Sequence, residues 1–282
     1  MIFHRKDAKA LSLFIHFASL RLCGKFSPMK TLFKIIQPLY SVWSYLVFFL
    51  FVAVSLVITP LIIIVAGKNF ISPLMRYYRF WSDVWFALSF MKQDFTGYEH
   101  IDPNRAYVIS GTHSSTLDLF ACGSSIKMAY KTLAKVETAK IPVMGYLFRV
   151  ACLFVDRSSP ESRKASIDKM IQELRQGTSI LIMPEGTRNR TGKPLNDFHD
   201  GAFRIAIETQ TPLLPMIVLN CRTLMPMDTL LVTPGTVGVR FLKPIETTGM
   251  TEKDIPALKE RVYKLQEEVI LREDAFFEAS RN

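Results

Sequence analysis

Cysteine is scarce in this chain. Four occur in 282 residues, at Cys23, Cys122, Cys152 and Cys221, far apart and with no C-x-x-C pair. That excludes a disulfide-dense scaffold and the usual zinc spacings, and it predicts reduced thiols facing a cytosolic compartment. No G-x-S-x-G elbow and no cluster of metal-ligating residues is present, which argues against a serine hydrolase or a metallohydrolase. No bound metal or cofactor is expected. Charge is absent where it matters most: residues 35–67 contain no Asp, Glu, Lys, Arg or His.

What is present is a chain that can build a core, 49% hydrophobic, with a formal charge of +10 from 35 Lys and Arg against 25 Asp and Glu. Its mean hydropathy of +0.18 suits a water-soluble body that carries a small membrane-embedded part. The charge is uneven. Residues 1–34 hold seven cations against Asp7, so +6 of the +10 precedes residue 35. This segment reads as a patch drawn to an anionic membrane surface. Nucleic acid is not indicated, because no recognisable binding module accompanies the positive charge.

Residues 45–66 are apolar except for Ser55, Thr59 and Pro60, long enough for one helical crossing of a bilayer core of about 30 Å. The run is too long for the apolar region of a cleaved signal peptide. Seven preceding cations favour a cytoplasmic N-terminus, yet Lys68, Arg76, Arg79 and Lys92 follow at once. Pro60 removes a backbone donor and can bend a helix, which leaves open a re-entrant insertion into one leaflet. Residues 70–93 interleave Tyr77, Tyr78, Trp81 and Trp85 with Arg76, Arg79 and Lys92, as a helix in the headgroup layer would. A core helix with outward charges is the alternative.

After Gly97 short apolar runs alternate with amphipathic stretches, the pattern of an α/β domain. Strands are predicted at residues 106–110, 131–136, 151–155, 179–183, 213–219 and 236–242, and helices at 117–128, 161–176, 201–209 and 254–271. Ser158, Ser159 and Pro160 open the second helix and Gly177 closes it. The chain divides into a basic, membrane-embedded part over residues 1–95 and one α/β domain over 96–282.

Three polar clusters fall at the ends of predicted strands. His113 and Asp118 follow the first; a spacing of five brings them together only if His113 sits in a turn ahead of the helix. Gly111, Thr112, Ser114 and Ser115 favour such a turn. An aspartate bonded to one ring nitrogen leaves the other free to act as a general base. Pro184, Glu185, Gly186, Thr187 and Arg188 end another strand and offer a carboxylate, a hydroxyl and a guanidinium suited to a polyol phosphate. Asp156 and Arg157 end a third. Clusters at several strand ends of one α/β domain point to a single site.

In order along the chain, His113 to Asp118, then Phe154, Val155, Asp156 and Arg157, then Pro184 to Arg188, then the proline-bearing strand from Leu213 to Val218, this sequence resembles the lysophosphatidic acid and glycerol-3-phosphate acyltransferases. The resemblance spans about residues 97–245. It implies a glycerol-3-phosphate-acyltransferase-like sheet flanked by helices, with an N-terminal membrane-embedded helical segment, and it favours the insertion into one leaflet. It implies that His113 is the base and Asp118 its orienting partner, with the acceptor hydroxyl attacking an acyl thioester directly. Arg157, Glu185, Gly186, Thr187 and Arg188 would bind the acceptor's phosphate and glycerol, as would Lys135, which with Glu137 resembles a further family feature.

The implied reaction moves an acyl chain from acyl carrier protein or coenzyme A to the sn-2 hydroxyl of lysophosphatidic acid, at a membrane of bacterial inner-membrane type with the catalytic domain on the cytoplasmic side. A lyso-ornithine lipid acceptor, or a non-catalytic lipid-binding protein of the same fold, are the alternatives. The chain departs from the family pattern in Ser114 to Leu117, where a bulky aromatic is often found, and at His199 and Asp200, where basic residues are common. His199 is expected to be non-catalytic, at a helix start beside a capping Asp200.

Overall fold

Strand residues of this chain alternate in the core they serve. Ile109, Leu181, Leu214, Met216 and Val218 join one apolar cluster, while Val108, Ile180, Ile182, Leu213, Ile217 and Leu219 join another. Apolar side chains at both parities produce strands covered on both faces, which a largely parallel sheet requires. The computed structural model describes residues 28–155 and 159–278.

The element order begins with α1 (Pro28–Ala66), a 3-10 turn (Gly67–Asn69), α2 (Ile71–Leu88), β1 (Lys92–Thr96), β2 (Val108–Gly111) and α3 (Asp118–Ser125). It continues through β3 (Tyr130–Lys135), α4 (Met144–Ala151), β4 (Cys152–Val155), α5 (Pro160–Arg175), β5 (Ser179–Ile182) and α6 (Gly201–Glu208). It ends with β6 (Leu213–Leu219), α7 (Cys221–Leu224), β7 (Thr236–Phe241), α8 (Ile255–Glu273) and α9 (Ala275–Glu278). The seven strands lie in the order β1-β7-β6-β2-β5-β3-β4. All neighbours run parallel except β6 and β7. Pro215 is tolerated in central β6 because its ladder with β7 starts one residue later, at Met216.

The six strands anticipated after Gly97 are all present within a residue or two of their ends. A seventh, β1, was not anticipated: Lys92 and Gln93 belong to the sheet edge, paired with Thr236 and Val237, and not to a headgroup helix. The boundary expected between residues 95 and 96 falls inside this strand. Apolar content is low in Lys92–Thr96, and its exposed edge residues are held by backbone pairing with β7 and by side-chain bonds such as Arg240 to Asp94 and Gln93 to Ser124.

α1 runs for 39 residues, about 58 Å at about 1.5 Å per residue, through both Pro38 and Pro60. The helix runs on through Pro60, and the chain reverses at Gly67, whose φ of +53° suits a residue without a side chain. α2 then returns antiparallel to α1. Tyr40 donates to Ser89 O, Trp85 Nε1 to Ser44 O at 3.0 Å, and the hydroxyls of Ser55 and Tyr77 lie 3.0 Å apart. Trp85 and Phe86 are buried, with Trp85 stacked on Phe120 at 4.0 Å, so the inner face of α2 is core and the alternative reading holds there. Phe80 stays exposed on its outer face. The basic segment over residues 1–27 lies outside the described residues.

Candidate active site

His113 sits in the turn between β2 and α3, and Asp118 is the first residue of α3. The geometry matches the spacing argument: His113 Nδ1–H donates to Asp118 Oδ2 at 2.8 Å. The same oxygen accepts from Ser114 N–H at 2.7 Å and Ser115 N–H at 2.9 Å. Asp118 is 1% exposed, whereas the His113 side chain retains 24%. A carboxylate with three donors is a rigid anchor, and it fixes the ring so that Nε2 is the nitrogen not engaged by Asp118.

Glu185 does something the sequence did not reveal. It is 3% exposed, and its two oxygens accept from His113 N–H at 3.1 Å and Asn196 N–H at 2.9 Å. From the same loop Asn189 N–H donates to His113 O at 2.7 Å. His113 is therefore clamped through its backbone N–H and C=O by residues 185–189. Glu185 is expected among the substrate ligands; here its two oxygens are taken up by the His113 and Asn196 amides. Burial pushes its pKa up to about 7 against the lowering effect of the Asn196 and His113 amides.

Gly186 has φ +67° and its N–H donates to Met183 O at 2.9 Å, closing a tight turn that a side chain would strain. Beyond it Thr187 is exposed, and Arg188 Nη1 donates to Thr116 Oγ1 at 2.7 Å. Arg188 thus lies across the same turn that carries His113. Lys135 is exposed at the end of β3, next to β5 in the sheet. Arg157 lies outside the described residues. His199 is exposed at the approach to α6, but Asp200 makes no side-chain cap; its carboxylate pairs with Lys259 at 2.6 Å.

Three contributors escaped sequence reading. Asn189 is 2% exposed and organises its own loop, with Oδ1 accepting from Thr191 N–H and Nδ2 donating to Lys193 O. Its Asn-x-Thr pattern is an Asx-turn signal that could have exposed the role. Arg222, after β6, borders a small cavity together with His113 and Glu185. Cys221 lies against the Asp118 carboxylate, and burial followed by that charge pushes its thiol well above the ordinary range. Cys122 and Cys152 are buried too, with Cys152 pushed up to about 12. Such thiols stay protonated and are poor nucleophiles. Among the described residues no three His, Cys, Asp or Glu side chains are grouped to hold a metal ion.

Next to the turn is an apolar cavity of about 180 Å³ between the helical pair and the sheet. Phe48 of α1, Tyr78 of α2, Phe120 of α3 and Phe148 of α4 line it, and Thr116 brings it to the turn that carries His113. α4, which the sequence reading left as a connection, forms one wall. The arrangement joins a hydrogen-bonded His–Asp pair, an arginine and a chamber suited to a hydrocarbon chain.

Comparison with known proteins agrees with this picture. The acyltransferase family model matches residues 92–219. The human 1-acyl-sn-glycerol-3-phosphate acyltransferase alpha is 31% identical over 168 residues, 59% of each chain. The 1-acyl-sn-glycerol-3-phosphate acyltransferase of Saccharomyces cerevisiae is 29% identical over 161 residues, 56% of this chain and 53% of its own. The chain therefore spans between half and two thirds of these relatives' length. The crystal structure of the 1-acyl-sn-glycerophosphate acyltransferase PlsC from Thermotoga maritima superposes with a TM-score of 0.70 at 21% identity, covering 83% of this chain and 95% of that one. That likeness establishes a shared fold. Residues 92–219 match the acyltransferase family model, and over somewhat more than half of its length the chain is similar to the 1-acyl-sn-glycerol-3-phosphate acyltransferases.

Proposed function

We propose that this protein transfers a fatty acyl chain from a thioester, acyl carrier protein or coenzyme A, to the sn-2 hydroxyl of lysophosphatidic acid, giving phosphatidic acid. The observation that carries the reading is the anchored His113–Asp118 pair on a turn that opens, at Thr116, into the apolar cavity. His113 Nε2 takes the proton of the acceptor hydroxyl as its oxygen attacks the thioester carbonyl. Collapse of the tetrahedral adduct breaks the carbon–sulfur bond, and the proton passes from the imidazolium to the departing thiolate. No covalent acyl-enzyme is required, in keeping with the buried, protonated thiols.

Arg188, Arg157 and Lys135 bind the acceptor's phosphate, and Thr187 its glycerol, while Glu185 and Gly186 shape the loop that presents them. The outward apolar face of α1 and the basic residues before it support residence at an anionic membrane, with the site on the cytoplasmic side of an inner membrane of bacterial type. The test is transfer from a labelled acyl thioester to a panel of lysolipids by purified protein. His113→Ala should lower kcat by about 10²–10⁴-fold; equal turnover in the two proteins removes His113 as the base. Transfer to a lyso-ornithine lipid but not to lysophosphatidic acid would replace the acceptor, and no transfer at all would favour a lipid-binding protein.

A further inference from the structure

The sheet order sets Arg222 apart from the cations already discussed. β6 flanks β2 on one side, and β5 followed by β3 flanks it on the other, so Arg222 and Lys135 approach the catalytic turn from opposite directions. Arg222 is held in place from two sides. Its Nη1 donates to Thr191 O at 2.7 Å, and its guanidinium stands 4.9 Å from the Phe276 ring centroid and 5.8 Å from that of Phe277. This aromatic platform is itself pinned: Asp274 accepts from Asn220 N–H at 2.8 Å and from Phe276 N–H at 3.0 Å, and Ala275 N–H donates to Asn220 Oδ1 at 2.9 Å. A guanidinium stacked and oriented in this way presents its remaining donors as a preformed fork.

Those donors border a groove of about 570 Å³ whose lining includes Ser114, Arg190, Arg222, Asp228 and Phe276. Ser114 and Arg222 also border the small cavity at His113, so the groove opens onto the catalytic turn. The apolar cavity reaches that turn at Thr116, two residues further on. A thioester whose acyl chain lies in the apolar cavity and whose carbonyl sits at His113 would send the rest of the donor into the groove.

We propose that this groove binds the phosphate ester of the acyl donor, the phosphorylated pantetheine arm common to acyl carrier protein and coenzyme A, through Arg222 and Arg190 with Phe276 as its wall. The site rests on the acyl-transfer reading above and adds to it a place for the donor. Two arginines against Asp228 give the groove a formal charge of +1, suited to an anionic phosphate ester. Lys135, one of the cations assigned to the acceptor's phosphate, stands at the end of β3 on the other side of β2.

The test compares a fatty acyl thioester of phosphopantetheine with the same thioester of pantetheine, which lacks the phosphate, for wild type, Arg222→Gln and Arg222→Lys. Arg222→Gln should lower the ratio of kcat/KM between phosphorylated and phosphate-free donor at least tenfold, with partial recovery in Arg222→Lys. The KM for the lysolipid acceptor should change less than twofold. An unchanged donor ratio would overturn the site, because loss on both donors alike is what a purely structural arginine gives. A raised acceptor KM with an unchanged donor KM would assign the groove to the acceptor's phosphate and overturn the donor site. Wild-type protein that turns over neither thioester would overturn the acyl-transfer reading itself.

Discussion

Two long helices of this protein bury one face each, α8 against the sheet and α1 against α2, and they do so with opposite chemistry. α8 turns Ile255, Leu258, Val262, Val269 and Ile270 inward and sets pairs such as Lys264 with Glu260 outward. α1 turns Ser41, Ser44, Ser55 and Thr59 inward beside Tyr40, Val47 and Val52, and exposes Leu39, Leu46, Phe49, Leu50, Val57 and Ile64. Both inner stripes recur at three- and four-residue intervals, so both helices are amphipathic. Their difference reports the medium outside. α8 faces water, whereas a helix whose exposed face is its apolar one is built for an apolar surrounding. The hydroxyls on its inner face are bonded to backbone or to α2 hydroxyls, as with Ser41 to Gln37 O at 2.7 Å and Thr59 to Tyr78 at 3.3 Å.

The largest test of this contrast reverses the outer face of α1. Leu50→Asp combined with Val57→Asp should cost about 6 kcal/mol of membrane partition, at about 3 kcal/mol per acidic group in the apolar layer, and should move the protein into the soluble fraction on flotation. Retention in the membrane fraction would break the comparison. On the inner faces the order is inverted. Leu258→Ala in α8 should cost about 2–5 kcal/mol in denaturant unfolding, while Ser44→Ala in α1, which removes only a bond to Tyr40 O, should stay within about 0.5 kcal/mol. Comparable losses would mean that α1 is a core helix of the same kind as α8.

The smallest test sets the uncharged polar groups under α1 against Glu185, a carboxyl sealed within the sheet domain. Its pKa is raised to about 7, so the native state keeps a proton that the unfolded chain sheds above its ordinary value of 4.5. Stability from this group is complete below about pH 4.5 and is lost as pH rises through about 7, by up to about 3 kcal/mol. Glu185→Gln should flatten the stability profile between those limits. A wild-type profile that rises with pH in that window, and loses the rise in the variant, would show that the two amide donors outweigh burial.

Much of the site could be read from the chain because it is local. The His113–Asp118 bond spans five residues and needs only a turn ahead of a helix, and Gly111, Thr112 and the serines supply one. The six strands after Gly97 announced themselves by apolar runs between breakers. Strand β1 did not, since Lys92 to Thr96 is polar and exposed and owes its conformation to pairing with residues 236–240. α4 was hidden for the same kind of reason: its eight residues bury only Gly145 and Leu147, too few to produce a clear period.

The sequence by itself determined that an uncharged apolar segment precedes an α/β domain, and that a histidine and an aspartate share one turn of it, because periodicity and short spacings depend on near neighbours. Only the tertiary structure decided that Glu185 clamps the backbone of His113 across 72 positions, that Arg222 enters from the far side of β2, and that α1 turns its hydroxyls inward. Those outcomes depend on which strands lie side by side and on what surrounds a face. A sheet order that brings residue 108 beside both 180 and 213 is a property of the folded whole, and no local stretch encodes it.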